Sequence, residues 1–197
     1  MLAVTIILLI ALFLVFWAIG IFNLLVRLRN QVKNAWGQID VQLQRRYDLI
    51  PNLVDTAKAY MNFEKSTLEA VIQARNQAVS AREHLQQQGG PTAQGSLKEL
   101  LSAEAMLGGA LGKVFALVES YPQLKASEPM MRLQEELSST ENKVAFSRQA
   151  YNDQVMSYNN AQQQFPNTVF ASMFGHHAAD LFEVDSVEVK KAPKVSF

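Results

Sequence analysis

Leu2 to Phe22 reads LAVTIILLIALFLVFWAIGIF, twenty-one consecutive residues without a charge. At about 1.5 Å of rise per residue, a helix of that length reaches about 30 Å, the thickness of a bilayer's hydrocarbon core. A buried core helix is seldom so long or so uniformly apolar. A cleaved signal peptide would need a basic start and a small-residue cleavage site, but Leu2 follows Met1 directly and no A-x-A closes the run. A retained transmembrane helix over residues 1–23 is the expectation, with the lipid bilayer as the first partner. Trp17 lies toward the end that reaches the interface, and Arg27, Arg29 and Lys33 follow closely. That basic flank places the rest of the chain on the cytoplasmic side of a bacterial inner membrane, with a periplasmic domain as the alternative.

The run passes directly into a helical stripe. Val32, Trp36, Ile39, Leu43, Tyr47, Ile50, Val54 and Ala57 recur at steps of three and four, one face of a 3.6-residue helix. Pro51 falls inside that stripe. A proline removes one helical hydrogen bond and crowds the preceding turn, so a kink or break is expected near Tyr47 to Ile50.

Three further segments carry the same periodicity. The first, from about Asn62 to Gln88, shows capping-box spacing at Ser66 and Glu69 and ends in QQQGGPTAQG, the clearest turn in the chain. The second starts at Ser96 and presents Leu97, Leu100, Leu101, Leu107, Leu111, Val114, Phe115 and Val118. It stops at Pro122. Gly108, Gly109 and Gly112 sit within it, and each costs about 1 kcal/mol against alanine in a helix. They are therefore expected to admit a closely packed neighbouring helix. The third opens at Ser127-Glu128-Pro129 and continues through Leu133, Leu137, Thr140, Val144, Ser147, Tyr151, Val155 and Tyr158 to Phe165, ahead of Pro166.

Long helices joined by short turns predict an all-α fold, a single N-terminal transmembrane helix followed by an antiparallel up-and-down bundle. Residues 24–175 form the bundle and residues 176–197 a tail without a stable fold of its own, in which DLFEVDSVEV is a candidate extended strand. Alternating directions return Phe165, Phe170 and Phe174 to the vicinity of the bilayer. They either rest on lipid or on a neighbour's anchor, or plug the open end of the bundle. The plug is the plainer expectation, since apolar clusters commonly belong to cores.

RLRNQVKNAWGQIDVQLQRRYDLIPNLV, followed by TLEAVIQARNQA, FALVESYPQLKAS, RLQEELSSTENKVAFSRQAYNDQVMSYN, FPNTVFASMFG and PKVSF, resembles the LemA family of bacterial membrane proteins along essentially the whole chain. The resemblance implies one N-terminal span and an antiparallel helical bundle. It brings no biochemical activity. A related helical protein takes part in magnetosome membrane formation, which points toward a membrane-organising role.

The residues offer little chemistry. Eighteen acidic and eighteen basic residues balance, so no overall field favours nucleic acid. The absence of cysteine removes disulfides, thiolate metal sites and cysteine nucleophiles. A di-iron bundle needs Glu-x-x-His pairs, and none of His84, His176 and His177 stands three residues after a glutamate. His176, His177 and Asp180 have ligand spacing but read as a solvated tail. No Walker loop, G-x-S-x-G or dinucleotide fingerprint is present. No cofactor, metal or small-molecule substrate is expected.

Two polar groups stand out as structural or interface candidates. Arg45, Arg46, Tyr47 and Asp48 lie beside Pro51 and Asn52, where Arg46 and Asp48 are expected to pair with other helices, Glu135, Glu136 and Arg148 among the candidates. Tyr151-Asn152 and Tyr158-Asn159 repeat at heptad spacing, as a polar ladder within the bundle or a contact between protomers. The function expected on these grounds is a non-enzymatic, membrane-anchored scaffold that forms a homo-oligomer and organises membrane or partner proteins. A single-copy adaptor or regulatory subunit of a membrane protease or sensor complex is the alternative.

Overall fold

The computed structural model describes residues 1–60, 64–93 and 95–183. Within them the fold is all-α: α1 (Leu2–Lys58), α2 (Lys65–Gln87), α3 (Leu97–Val118), the single turn α4 (Pro122–Lys125), α5 (Glu128–Gln163) and the short α6 (Asn167–Met173).

Anchor and first bundle helix are one continuous element. α1 runs 57 residues without interruption, about 85 Å at about 1.5 Å per residue. Its environment changes partway. From Leu2 to Gly20 no residue is buried, and the apolar side chains stand exposed all round the helix. From Ile21 onward a single stripe turns inward, and all eight residues of the stripe read from Val32 to Ala57 are buried.

α1 packs antiparallel along α5, and α2 along α3. The two pairs share one core, built from Trp36, Leu43, Ile50, Val71, Leu107 and Val155 among others. α3 is also long and apolar enough to cross a membrane. It instead buries Leu100, Leu107, Leu111, Val114 and Val118 in that core, together with Glu104.

Pro51 does not break α1. The carbonyl that its missing N–H leaves free, four residues back, belongs to Tyr47, and the Arg75 Nε–H of α2 donates to it at 3.2 Å. A neighbouring helix thus replaces the lost bond and the helix continues.

Other expectations need correction. Ser66 is not a cap: α2 begins at Lys65 after Glu64, and no side-chain capping bond forms there. Among the described residues, Gly109 and Gly112 have no close neighbour. A methyl group built on either would meet nothing within 4 Å, and at Gly108 it would meet only the Arg46 guanidinium at 3.8 Å. The expected start of the second segment near Asn62 and the end of the DLFEVDSVEV strand lie outside the described residues.

Two turns are made by the same device. After α2, Gly89 (φ +96°) and Gly90 (φ +83°) take the left-handed conformation. The Gly90 N–H bonds to Leu85 O at 2.9 Å and the Gly89 N–H to Gln86 O at 3.3 Å. After α6, Gly175 (φ +67°) repeats this, with His176 N–H to Ala171 O at 2.9 Å and Gly175 N–H to Ser172 O at 3.3 Å. Both are Schellman motifs, which need a residue without a Cβ at the left-handed position. The second one turns the chain out of α6 and back along the bundle.

Candidate functional site

The polar groups singled out in the sequence separate into three places. The first is a buried junction of α1, α3 and α5. Arg46 and Tyr47 lie side by side on α1 and meet Glu104 of α3: the Tyr47 hydroxyl donates to Glu104 Oε1, and the Arg46 guanidinium stands 3.2 Å from Glu104 Oε2. Arg46 also reaches Glu141 of α5 at 3.1 Å. The Arg46 and Glu104 side chains are 8% and 6% exposed, so this ion pair is removed from water, while Glu141 remains at the surface. Burial pushes the Glu104 carboxyl above the usual carboxylate range, against the pull of Arg46 and the Tyr47 hydroxyl. Burial, then the charge on Glu104, pushes the Tyr47 phenol upward as well. The phenol therefore stays protonated, and its hydroxyl donates to Glu104 Oε1.

Arg46 and Glu141 form one wall of a groove of about 480 Å³ between α3 and α5, lined also by Gly108, Gly112, Phe115 and Leu137. The buried polar atoms of Tyr47, Arg46 and Glu104 are bonded to one another, so the junction ties three helices together, and Glu141 is the carboxylate it turns toward that groove. The rest of the cluster stays outside it. Arg45 is half exposed and stands 3.9 Å from Glu136. Asp48 accepts from Gln44 Nε2 on its own helix at 2.7 Å and, among the described residues, reaches no other helix, contrary to expectation. Asn52 is exposed, its carbonyl taken by the Thr56 hydroxyl at 2.8 Å. A second tie, between α1 and α2, comes from Arg82, which grips Asp40 through two nitrogens at 2.5 and 2.8 Å and Gln44 Oε1 at 2.7 Å.

The second place is a strap. Residues 176–183 run back along α5, and the repeated Tyr-Asn pairs hold them. Asn159 accepts from Ala179 N–H and donates to Ala179 O, both at 2.9 Å. Asn152 does the same for Phe182, at 2.8 and 3.3 Å. Each side-chain amide thus pairs with one backbone residue at both its N–H and its C=O. The spacing explains why two clamps fit. Seven residues of helix climb about 10.5 Å at about 1.5 Å each, and three residues of extended chain cover about 10 Å at about 3.3 Å each.

The tyrosines of the same pairs take the next positions. Tyr151 donates to Asp180 O at 3.0 Å, and Tyr158 bonds to His176 Nδ1 at 2.9 Å. Asp180 in turn accepts from Gly95 N–H at 2.6 Å, joining the strap to the turn between α2 and α3. Phe182 is buried against Trp36, ring centroids 6.1 Å apart, and Trp36 meets Tyr151 edge-on at 5.7 Å.

The tail is therefore structured through Glu183, and His176 is buried, not solvated. Its pKa is held below the ordinary histidine value by burial, then by Arg29 and His177. The spacing of His176, His177 and Asp180 gathers no metal site: among the described residues no three of His, Asp and Glu are so grouped.

The third place is the foot of the bundle, where α1 changes environment. Ala171 of α6 packs with Ile21 and Leu25 of α1, with Phe170 and Ala161 beside them. Phe22 meets Phe174 edge-on at 5.1 Å. Phe165 is 82% exposed and Met173 73%, so this cluster does not plug the core. Trp17 lies further down α1, exposed beside Phe13, and Arg27 is exposed just above Phe22. Arg29 is half buried near Tyr158 and His176.

Sequence reasoning missed Glu104, although a signal was present. It falls between Leu100 and Leu107 at steps of four and three, inside the apolar stripe, where a charge must find a partner. Glu141, Arg75, Arg82 and Phe182 carried no such mark.

The chain is 27% identical over 174 residues to the magnetosome protein MamQ of Magnetospirillum gryphiswaldense, an alignment covering 82% of this chain and 64% of that one. It is 27% identical over 175 residues to magnetosome protein MamQ 2 of Paramagnetospirillum magneticum, with the same coverage. Protein LemA of Metamycoplasma hominis is 28% identical over 170 residues, covering 86% of this chain and 72% of that one. The chain thus spans just under two thirds of the length of the magnetosome relatives it matches. The sequence pattern of the LemA family matches residues 35–197, most of the bundle and the chain after it, and this chain belongs to the LemA family.

Proposed function

We propose that this protein is a non-enzymatic, membrane-anchored helical scaffold that self-associates and organises membrane or partner proteins. The observation that carries this reading is α1 itself. One unbroken helix is apolar and bare through Gly20 and forms the core of the bundle from Val32 onward. A bundle joined to its anchor without a hinge transmits its position and orientation directly to the bilayer, as suits an organising element. The basic flank at Arg27 and Arg29 favours a cytoplasmic bundle at the bacterial inner membrane. The kinship with proteins named for the magnetosome agrees with a role at a membrane.

Support for a non-catalytic role is the way the buried polar groups are spent. Glu104, Tyr47, Tyr158 and His176 are each bonded to another group of this chain, whereas a catalytic group has to face a space that a substrate enters.

The native mass of the full-length protein in mild detergent tests the scaffold. A discrete homo-oligomer is expected. A monomer would transfer the assignment to a single-copy adaptor, a reading that has one observation in its favour: the groove between α3 and α5 stands open beside Gly108 and Gly112.

A further inference from the structure

The end of α5 and α6 form a surface with a distinct composition. From Gln154 to Gly175 there is no charged residue. Val169 and Met173 stand four residues apart on one face of α6, 52% and 73% exposed, and Phe165 just before it is 82% exposed. The opposite face, through Phe170 and Ala171, is applied to Ile21 and Leu25 of α1. α6 is thus amphipathic in an unusual sense: one apolar face is used within the chain and another is left bare.

Its position says what covers the bare face. α6 sits at the level of α1 where the apolar run ends, and Phe174 packs on Phe22, the last residue before the polar Asn23. Arg27 and Arg29 follow Phe22 by five and seven residues, about 7 to 10 Å higher at about 1.5 Å each, the depth of the headgroup layer. If Leu2 to Ile21 occupy the hydrocarbon, the exposed aromatic and aliphatic side chains lie where the acyl chains meet the headgroups. That layer suits apolar side chains held at a rigid surface, and the absence of carboxylates avoids repulsion from anionic lipid.

We propose that the Phe165–Phe174 segment is a second membrane contact, resting in the interfacial layer of the bilayer that α1 enters and fixing the tilt of the bundle. This rests on the anchor reading above. The lipid makes contact with Phe165, Val169 and Met173, while Phe22 and Phe174 bridge the foot to the anchor.

The chain has no cysteine, so a single introduced one reports one position. Full-length Phe165→Cys, Met173→Cys, Phe16→Cys and Phe146→Cys variants, each labelled with bimane, would be placed in phosphatidylcholine–phosphatidylglycerol vesicles with and without brominated lipid. All four positions are exposed, so folding is preserved, with helical circular dichroism as the check. Quenching at positions 165 and 173 several-fold greater than at Phe146→Cys, which lies on α5 away from the foot, is the expected result. Quenching at Phe16→Cys alone would overturn the second contact and leave the anchor standing. Copy-to-copy disulfide cross-linking of unlabelled Met173→Cys, with bromolipid quenching absent at 173, would overturn it in favour of a second copy of this chain. No quenching at Phe16→Cys would overturn the anchor, and this proposal with it.

Discussion

Three side chains decide whether the junction holds. Removing the Tyr47 hydroxyl deprives Glu104 of one of its donors, and Tyr47→Phe is expected to cost about 1–2 kcal/mol in urea unfolding. Glu104→Ala leaves Arg46 buried with only the surface Glu141 for a partner and should cost more, about 3–5 kcal/mol, as breaking a buried pair does. A substitution at Arg45, half exposed and 3.9 Å from Glu136, should register close to zero by the same measurement. That contrast between neighbours could not be anticipated from the Arg45-Arg46 dipeptide. Both arginines border the apolar stripe, and only a third helix carrying Glu104 distinguishes them.

His176 adds a pH dependence at the same scale. Its folded pKa lies below the ordinary value, so the neutral ring is the form that packs against Tyr158. As pH falls, the unfolded chain binds the proton first and stability drops. The strap's contribution should be complete above about pH 6.5 and decline below it, read as lower amide protection factors at Ala179 and Phe182 once the intrinsic pH dependence of exchange is divided out.

Among elements, α1 and the strap are each held by a neighbour that local sequence does not reveal. The proline in α1 announces a kink or break in the helix. Arg75, twenty-eight residues from Tyr47 in sequence, supplies the missing donor instead. A double-mutant cycle isolates this effect. Arg75→Ala should cost about 1 kcal/mol in the natural chain and far less in Pro51→Ala, where the restored N–H satisfies Tyr47 O. Additive values would show that Arg75 has no such part. For the strap, Asn159→Ala removes two bonds to Ala179 and should cost roughly 1–3 kcal/mol, with hydrogen exchange rising from His176 to Glu183 ahead of the helices. The heptad repeat of Tyr-Asn was legible, and so was its polar character. That it grips an extended segment of the same chain was not, because nothing in the helix itself specifies what a side-chain amide will pair with.

For the whole molecule, the anchor and the bundle share a helix but not a core. The main core begins at Val32, so a chain starting at Arg27 should remain strongly helical by circular dichroism. A product without helical signal would end the bundle reading. The same truncation removes Ile21 and Leu25, against which α6 packs, so exchange should rise across Asn167–Met173 while α2 and α3 remain protected. Equal protection of α6 in both forms would show that its seat on α1 contributes nothing.

Helical character, the membrane-length apolar run and the inward stripes follow from periodicity and residue type alone. These are local quantities: 3.6 residues per turn and the cost of exposing apolar surface operate along one segment at a time. The burial of Glu104, the rescue of Pro51 by Arg75, the docking of the strap and the bare face of α6 were decided by tertiary structure. Each depends on what a distant segment brings to a polar group or an apolar face once the helices have packed. A buried hydrogen-bonding group imposes the need for a partner but leaves open which residue answers it.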